Sequence, residues 1–267
     1  IVEKKRIQQK FFKEVQKKVP YSFDVLYIQI DQVDIARQFF PSTPIITTVH
    51  GHKDNLPKNS SLVFISQSQR REYEKINNNV DGSVIYNPID INDFIYSEEK
   101  EDYLLFLAKI DWDIKGFAEA VAVANKLGCR LKVAGPGYNK NNKHLFNNNI
   151  EYVGEVYGKK KAELLSKAKA LLYPTKWPEP FGLAPAEANA SGTPAIVFNN
   201  GAMPEVVDNG KTGYLCDTVD DMCEAVKNLK DIRPKACYDW VAKKFQKEII
   251  AKQYLNLFQD ILDSKVA

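Results

Sequence analysis

The chain has 267 residues, of which 44% are hydrophobic and 27% are charged, a composition typical of globular proteins with one large core or two smaller ones. Its 37 basic and 34 acidic residues leave a net charge of only +3, which gives no reason to expect nucleic acid as a partner. The four cysteines show neither C-x-x-C pairs nor zinc-ligand spacing, so reduced thiols are expected. No apolar run is long enough to span a bilayer and no signal-peptide pattern is present, which predicts a cytoplasmic location.

The first eighteen residues are the most basic segment of the chain. Lysines and an arginine alternate with apolar residues at helical spacing, which predicts an amphipathic helix with a solvated cationic face. An ordinary surface helix is the simpler interpretation, and a peripheral contact with the inner face of a membrane is the alternative. Because the helical pattern is already under way at Ile1, we expect the chain to be a piece of a longer protein.

The first third of the chain has an α/β pattern. Short apolar runs predict strands at residues 24–30, 45–49 and 62–65, with a weaker candidate at 84–86. The sequence N-P-I-D from Asn87 then breaks the pattern and, with the charged stretch at 98–102, marks a domain boundary.

The second part alternates apolar runs with helical patterns. Its predicted strands are residues 103–107, 131–134, 151–153, 170–173 and 195–198, and its predicted helices are residues 116–127, 159–168 and 185–191. Buried strands separated by helices predict a parallel, doubly wound sheet, whose ligands bind at the carboxyl ends of the strands. The tail predicts one long helix over residues 238–262.

The most informative segment runs from Trp177 to Glu187 and reads W-P-E-P-F-G-L-A-P-A-E. It follows a predicted strand and opens a predicted helix, where backbone N–H groups lack helical partners and the helix dipole favours an anion. Glu179 before the helix and Glu187 inside it would accept hydrogen bonds from hydroxyl groups. The segment therefore predicts a phosphate on the amides, with hydroxyl groups of the same ligand on each side.

Glu179 and Glu187, with seven residues between them, resemble the paired-glutamate motif of the retaining glycosyltransferases of family four, which have the GT-B fold. Further matching motifs occur in order: A-G-P-G at 134–137, Y-V-G at 152–154, P-E-V-V at 204–207 and D-N-G-K-T-G at 208–213. The similarity covers roughly residues 23–262. It implies an α/β, GT-B-like fold with two Rossmann-like doubly wound domains that face a cleft, the first of them incomplete.

The implied domains are a partial acceptor-side domain at residues 1–86, a nucleotide-sugar-binding domain at 87–237, and a terminal helix at 238–267 that packs back toward the first domain. The family's opening strand and glycine-rich loop have no counterpart in the chain. We therefore expect the chain to bind a donor but to transfer its sugar slowly or not at all by itself.

The resemblance also implies roles for individual residues. Glu187 would hold the ribose hydroxyls of the nucleotide, and Glu179 would contact hydroxyls of the transferred sugar. Lys109 and Lys115 match the basic pair that neutralises the diphosphate, where fixed cations stabilise the charge of the leaving group. His50, in T-T-V-H-G, matches a first-domain loop that meets the donor sugar. The amides that would receive the phosphate belong to Phe181, Gly182, Leu183 and Ala184.

Two details of the diphosphate loop depart from the family pattern. Ala108-Lys109 stands where Gly-Arg is usual, and lysine lacks the bidentate fork of arginine. The loop to Lys115 is also one residue longer than the common form. Within it, Asp111 and Asp113 resemble the metal-binding D-x-D of the other glycosyltransferase fold, but their carboxylates would oppose the donor's charge. Neither a metal nor any other cofactor is therefore expected.

The function implied is a retaining, metal-independent transfer of a hexose from a nucleoside diphosphate sugar to a sugar or lipid-linked acceptor. One alternative is a donor-binding module without transfer activity. Another is a different GT-B enzyme, either a phosphorylase or a sugar-nucleotide epimerase. Each site residue also has a simpler interpretation: Glu187 and Lys115 as solvated surface residues, His50 as the end of a strand, and Trp177 as a seal of the domain.

Overall fold

A computed structural model describes residues 2–18, 23–51, 56–58, 60–76 and 82–266. The chain divides into two compact units, Ile1–Tyr86 with Ala251–Ala267, and Asn87–Ile250. The second unit therefore includes residues 238–250, which the sequence assigned to a separate terminal helix.

The first unit contains a four-stranded parallel sheet in the order β1-β2-β3-β4. The strands are β1 (Leu26–Tyr27), β2 (Ile45–Val49), β3 (Ser61–Phe64) and β4 (Gly82–Val84), and the helices are α1 (Val2–Lys18), α2 (Val33–Phe39) and α3 (Gln67–Ile76). All five residues of β2 are buried, as expected of a strand covered on both faces. The strand predicted at 24–30 is shorter than expected: it covers only Leu26–Tyr27, and a 3₁₀ turn begins at Ile30.

Helix α1 packs against the core of the first unit through Phe12, with Val15 also in contact. Phe12 is only 2% exposed, and its ring lies 6.2 Å from that of Phe39 and 6.5 Å from that of Phe40. Ile7 and Phe11 on the same helix are more than half exposed. No described helix combines the length and apolarity needed to cross a membrane.

The second unit contains a six-stranded parallel sheet in the order β7-β6-β5-β8-β9-β10, which is the 3-2-1-4-5-6 order of Rossmann sheets. Its strands are β5 (Leu104–Leu107), β6 (Leu131–Ala134), β7 (Ile150–Gly154), β8 (Ala170–Tyr173), β9 (Ala195–Phe198) and β10 (Gly213–Cys216). Its helices are α4 (Phe117–Leu127), α5 (Gly158–Lys167), α6 (Leu183–Ala190), α7 (Met203–Val206), α8 (Val219–Lys227) and α9 (Pro234–Lys244), and α10 (Lys247–Val266) begins in this unit. The expected α/β class with two Rossmann-like parallel sheets is confirmed.

Helix α4 shows why the sequence pattern located this core correctly. Phe117, Val121 and Ala124, spaced at three and four residues, are buried against the sheet. Strand β10 and helix α8 were not predicted. Helix α8 nevertheless has the spacing of an amphipathic helix, with Met222, Cys223 and Val226 buried in the core.

The prediction of one long helix over residues 238–262 was wrong. Helix α9 ends at Lys244 and α10 begins at Lys247. Between them the backbone bonds to Ile89 instead of continuing the helix: Ile89 N donates to Phe245 O at 2.7 Å, and Lys247 N donates to Ile89 O at 3.1 Å. The Phe245 side chain is fully buried, so tertiary packing fixes this break.

Candidate functional site

The candidate site lies where β5 and β8 are neighbours at the middle of the second sheet. They are the first and fourth strands of that sheet, so their outgoing connections diverge and leave a crevice at the carboxyl edge. The two loops are in close contact there. A Cβ atom added to Gly116, whose φ is 76°, would lie 1.9 Å from Pro174 O, and Lys176 N donates to Ile114 O at 2.7 Å. Only glycine fits at position 116, because the left-handed backbone and the close approach both exclude a side chain.

Two donors converge on the Glu179 carboxylate, and a third hydroxyl lies nearby. The Lys115 ammonium donates to Glu179 Oε1, the Tyr173 hydroxyl donates to the same oxygen at 3.0 Å, and the Thr175 hydroxyl lies 3.5 Å from it. The Lys115 and Glu179 side chains are only 16% and 12% exposed. Burial and then the Glu179 charge raise the pKa of Tyr173 well above its usual range, so this hydroxyl stays protonated and remains a donor.

The backbone of Glu179 is also fixed. Ala202 N donates to Glu179 O at 2.9 Å, and a Cβ atom on Gly201 would lie 2.5 Å from Glu179 N. The chain after β9 therefore passes directly against this glutamate. Its main chain and its side chain are held by separate parts of the unit.

Helix α6 begins after Gly182, whose φ of 97° turns the chain into the helix. The space beside Gly182 is filled by Met203, since an added Cβ would lie 2.3 Å from its Cε atom. The buried Phe181 ring packs edge-on against Phe245 at 5.3 Å and anchors the approach. The first-turn amides of Leu183 and Ala184 have no intrahelical acceptor, so this helix start is a favourable place for an anion.

Glu187 forms an ion pair that the sequence analysis missed. Lys161 Nζ lies 2.8 Å from Glu187 Oε1, and the two side chains are 26% and 15% exposed. Both residues border a cavity of about 290 Å³, together with Lys109 and Ala184. The rest of its wall is formed by Leu107, Ala108, Gly135, Pro136, Glu155, Val156, Tyr157 and Leu183.

The structure brings the sequence-predicted residues into two groups. Lys109, Leu183, Ala184 and Glu187 border the 290 Å³ cavity. Glu179 and Lys115 form the second group and are paired with each other. Lys109 Nζ lies 3.8 Å from Asp111 Oδ1 and 4.5 Å from the centre of the Trp112 ring.

His50 belongs to the first unit. It follows β2, and its side chain is exposed. The next residue, Gly51, is tied to α3, because its carbonyl oxygen accepts from Gln69 Nε2 at 3.2 Å and from the Tyr73 hydroxyl at 3.1 Å. The loop that carries His50 therefore has a fixed anchor within its own unit.

Lys161 and Tyr173 are the two residues that sequence reasoning missed. Lys161 is the third of three consecutive lysines, and the sequence does not distinguish the one that faces the cavity. Tyr173 gave a usable signal, because it is the only residue with a polar side chain in the strand Ala-Leu-Leu-Tyr and stands at its carboxyl end.

Asp111 contacts Lys109, but neither Asp111 nor Asp113 borders the 290 Å³ cavity. They border a separate cavity of about 440 Å³ with Phe117, Glu119 and His144. Among the described residues, no group of three His, Cys, Asp or Glu side chains is arranged to hold a metal ion.

Comparison with known proteins identifies the family. The model of the family "Glycosyl transferases group 1" matches residues 89–244, which is more than half of the chain. The chain belongs to this family. The match covers β5 to β10 and the helix α9, and so includes both groups of candidate residues.

Individual family relatives match smaller or larger parts of the chain. A probable sucrose-phosphate synthase from Thermosipho melanesiensis is 39% identical over 97 residues, which are 35% of this chain and 23% of the relative. The chain thus spans about a quarter of that protein's length. The crystal structure of AviGT4, a glycosyltransferase involved in avilamycin A biosynthesis, has 25% identity and a TM-score of 0.75 over 94% of this chain and 79% of AviGT4.

A second solved structure shares the fold at lower identity. The Anabaena protein HepE, in complex with UDP and glucose, has 14% identity and a TM-score of 0.75. The match covers 93% of this chain and 80% of HepE.

Proposed function

We propose that the second unit binds a nucleoside diphosphate sugar and that the protein transfers the hexose, with retention and without a metal ion, to a sugar or lipid-linked acceptor. One observation carries the proposal: two carboxylates, Glu179 and Glu187, are each held by a lysine and stand in the chain on either side of the first-turn amides of α6. The amides can bind an anion, and each carboxylate can accept hydrogen bonds from hydroxyl groups. This arrangement suits a ligand with phosphates at its centre and a sugar at each end.

The charges at the site support the same ligand. In the proposal Glu187 accepts from the ribose, while Lys109 and Lys115 face the diphosphate and the amides of Phe181, Gly182, Leu183 and Ala184 bind the distal phosphate. As the glycosidic bond breaks, the departing diphosphate gains negative charge, and cations already in place lower that barrier. His50 is proposed to contact the donor sugar from the first unit.

The surroundings of Glu179 favour a mechanism without a covalent sugar–enzyme intermediate. A carboxylate oxygen that accepts from an ammonium group and a tyrosine hydroxyl is a weak nucleophile, because the donors stabilise its lone pairs. We propose that Glu179 orients the sugar through its hydroxyls. The acceptor then attacks the same face that the phosphate leaves, and the phosphate takes the acceptor's proton.

Calorimetric titration with UDP, GDP and ADP tests donor binding, and UDP is the first probe because HepE was solved with it. For the nucleotide that binds, we expect Glu187→Gln to weaken the binding free energy by about 1–3 kcal/mol, because a charge-assisted hydrogen bond to the ribose becomes a neutral one. Glu224→Gln is the matched control, since Glu224 is paired with Lys227 at 2.6 Å on the exposed face of α8. Equal affinities for wild type and Glu187→Gln would remove Glu187 from the site.

Activity and its stereochemistry need a separate experiment. Incubation of a radiolabelled donor with a panel of sugar and lipid-linked acceptors should give a product whose anomeric configuration matches the donor by NMR. Conversion of the nucleotide sugar without acceptor would indicate an epimerase, and the absorbance of bound pyridoxal phosphate would indicate a phosphorylase. Donor binding without any product would identify a binding module.

We also propose a peripheral membrane contact through α1, which suits a cytoplasmic enzyme with a lipid-linked acceptor. Between Val2 and Lys18 the helix has seven basic and two acidic residues, and Ile7 and Phe11 are 64% and 56% exposed. Such a surface favours anionic lipids. The protein should sediment with vesicles that contain phosphatidylglycerol and not with pure phosphatidylcholine. A Phe11→Ser variant that sediments as well as wild type would contradict a role for the apolar side chains.

A further inference from the structure

The Glu179 carboxylate is held asymmetrically. Within the described part of the chain, the hydrogen bonds to this side chain go to Oε1, one from Lys115 and one from Tyr173 at 3.0 Å. The Thr175 hydroxyl also lies nearest to Oε1, at 3.5 Å, but has a shorter bond to Ile114 O at 3.2 Å. A carboxylate oxygen has about two lone-pair sites. Oε1 is therefore fully used by Lys115 and Tyr173, and any ligand hydroxyl that bonds to Glu179 must donate to Oε2.

The three side chains come from two places in the unit, the turn before α4 and the end of β8. Lys115 ends the 3₁₀ turn before α4, Tyr173 is the last residue of β8, and Thr175 follows it. Tyr173 belongs to a strand that is hydrogen-bonded on both sides, and its side chain is only 6% exposed. Its hydroxyl is a fixed reference point for the carboxylate, whereas a lysine side chain has four flexible bonds.

We infer that Tyr173 is a positioning residue for the donor sugar: its hydroxyl bond to Glu179 Oε1 sets the rotation of the carboxylate and directs Oε2 to the sugar hydroxyls. The inference rests on the proposed function. It goes beyond it by assigning sugar recognition to a residue that contacts Glu179 rather than the ligand. The nucleotide is proposed to bind other residues. Loss of the Tyr173 hydroxyl should therefore weaken binding of the donor's sugar and leave binding of its nucleotide unchanged.

The test compares a nucleotide with its sugar nucleotide. Dissociation constants of UDP and UDP-glucose are measured for wild type and Tyr173→Phe. If GDP or ADP binds instead of UDP, the pair is GDP with GDP-mannose or ADP with ADP-glucose. We expect the nucleotide constant to change by less than about twofold. The constant for the sugar nucleotide should rise by roughly fivefold, which corresponds to one ordinary hydrogen bond.

Tyr103→Phe is the matched control. Tyr103 is also buried in the same unit, and its hydroxyl donates to Leu164 O at 2.7 Å, a main-chain acceptor outside the two groups of candidate residues. The same atom is removed in both variants, so a general loss of stability would appear in both. Thermal denaturation of each variant monitors the fold.

A second readout is the discrimination against donor sugars that lack one ring hydroxyl. Wild type should bind at least one such deoxy donor more weakly than the parent, and Tyr173→Phe should reduce that difference. Equal weakening of nucleotide and sugar nucleotide would show that Tyr173 acts only on the fold and would overturn the inference. So would unchanged constants for both ligands. Failure of wild type to bind any of the three nucleotides would instead overturn the proposed function, and this inference with it.

Discussion

Lys161 Nζ and Glu187 Oε1 lie 2.8 Å apart between two cavities, and both residues border each of them. One is the 290 Å³ cavity beside Lys109, and the other, of about 650 Å³, is bordered by Phe94 and α5. The Lys161 ammonium also lies 5.7 Å from the centre of the Phe94 ring. Because a carboxylate has about four acceptor sites, this ion pair fixes Glu187 and leaves acceptor sites for a ribose.

Loss of this ion pair should reduce the preference for ribose over deoxyribose. In Lys161→Met the Glu187 carboxylate has no fixed orientation, so its hydrogen bonds to two adjacent ribose hydroxyls become weaker. The ratio of the dissociation constants of 2′-deoxy-UDP and UDP should fall by about fivefold, the effect of one hydrogen bond. Lys160→Met, an exposed neighbour, should keep the wild-type ratio. A ratio unchanged in Lys161→Met would show that the ion pair does not orient Glu187.

Substitution of Gly116 should destabilise the fold more than substitution of a glycine with similar backbone angles. Gly116→Ala combines the left-handed backbone, which costs an L-residue roughly 1–2 kcal/mol, with a clash against Pro174 O. Gly128→Ala has a φ of 64° and open space around its added Cβ, so it carries the backbone cost alone. Urea denaturation should show a lower free energy of unfolding for Gly116→Ala than for Gly128→Ala. Equal values would mean that the two loops separate easily.

Removal of metal ions should leave nucleotide binding intact. The proposed positive groups are lysine side chains and helix amides, so EDTA should not change the dissociation constant in a calorimetric titration. Manganese added afterwards should have no effect either. If EDTA abolishes binding and manganese restores it, Asp111 and Asp113 hold a metal and the mechanism must be redrawn.

The cysteines should differ strongly in reactivity. Burial raises the pKa of the Cys237 thiol to about 12, whereas Cys129 is partly exposed. A maleimide at pH 8 should label Cys129 in the folded protein and Cys237 only after unfolding, as measured by peptide mass spectrometry. Rapid labelling of Cys237 in the native protein would contradict its burial.

The raised pKa of the Cys237 thiol also predicts that the stability of the fold depends on pH. The ordinary thiol pKa is 9.0, and the folded value of Cys237 is higher, so the unfolded chain releases its proton first as the pH rises. The contribution of this protonated thiol to stability is complete below pH 9 and is lost between pH 9 and about 12. The difference in unfolding free energy between wild type and Cys237→Ala should therefore become smaller from pH 8 to pH 10.

The sequence determined the features that depend on neighbouring residues. The spacing of apolar residues located the buried face of α4 and most strands of the second sheet, because periods of 2 and 3.6 follow directly from backbone geometry. The order of motifs around Glu179 and Glu187 identified the family, because a strand, a glycine turn and a helix start are local structures.

The tertiary structure decided how those residues are paired. Lys115 reaches Glu179 across 64 positions of the chain and Lys161 reaches Glu187 across 26, distances at which periodicity carries no information. The break between α9 and α10 depends likewise on a backbone pairing with Ile89, 156 positions before Phe245. Contacts of this kind form only when the strands have been placed side by side, so their partners were settled by the packing of the sheet and helices rather than by any local pattern.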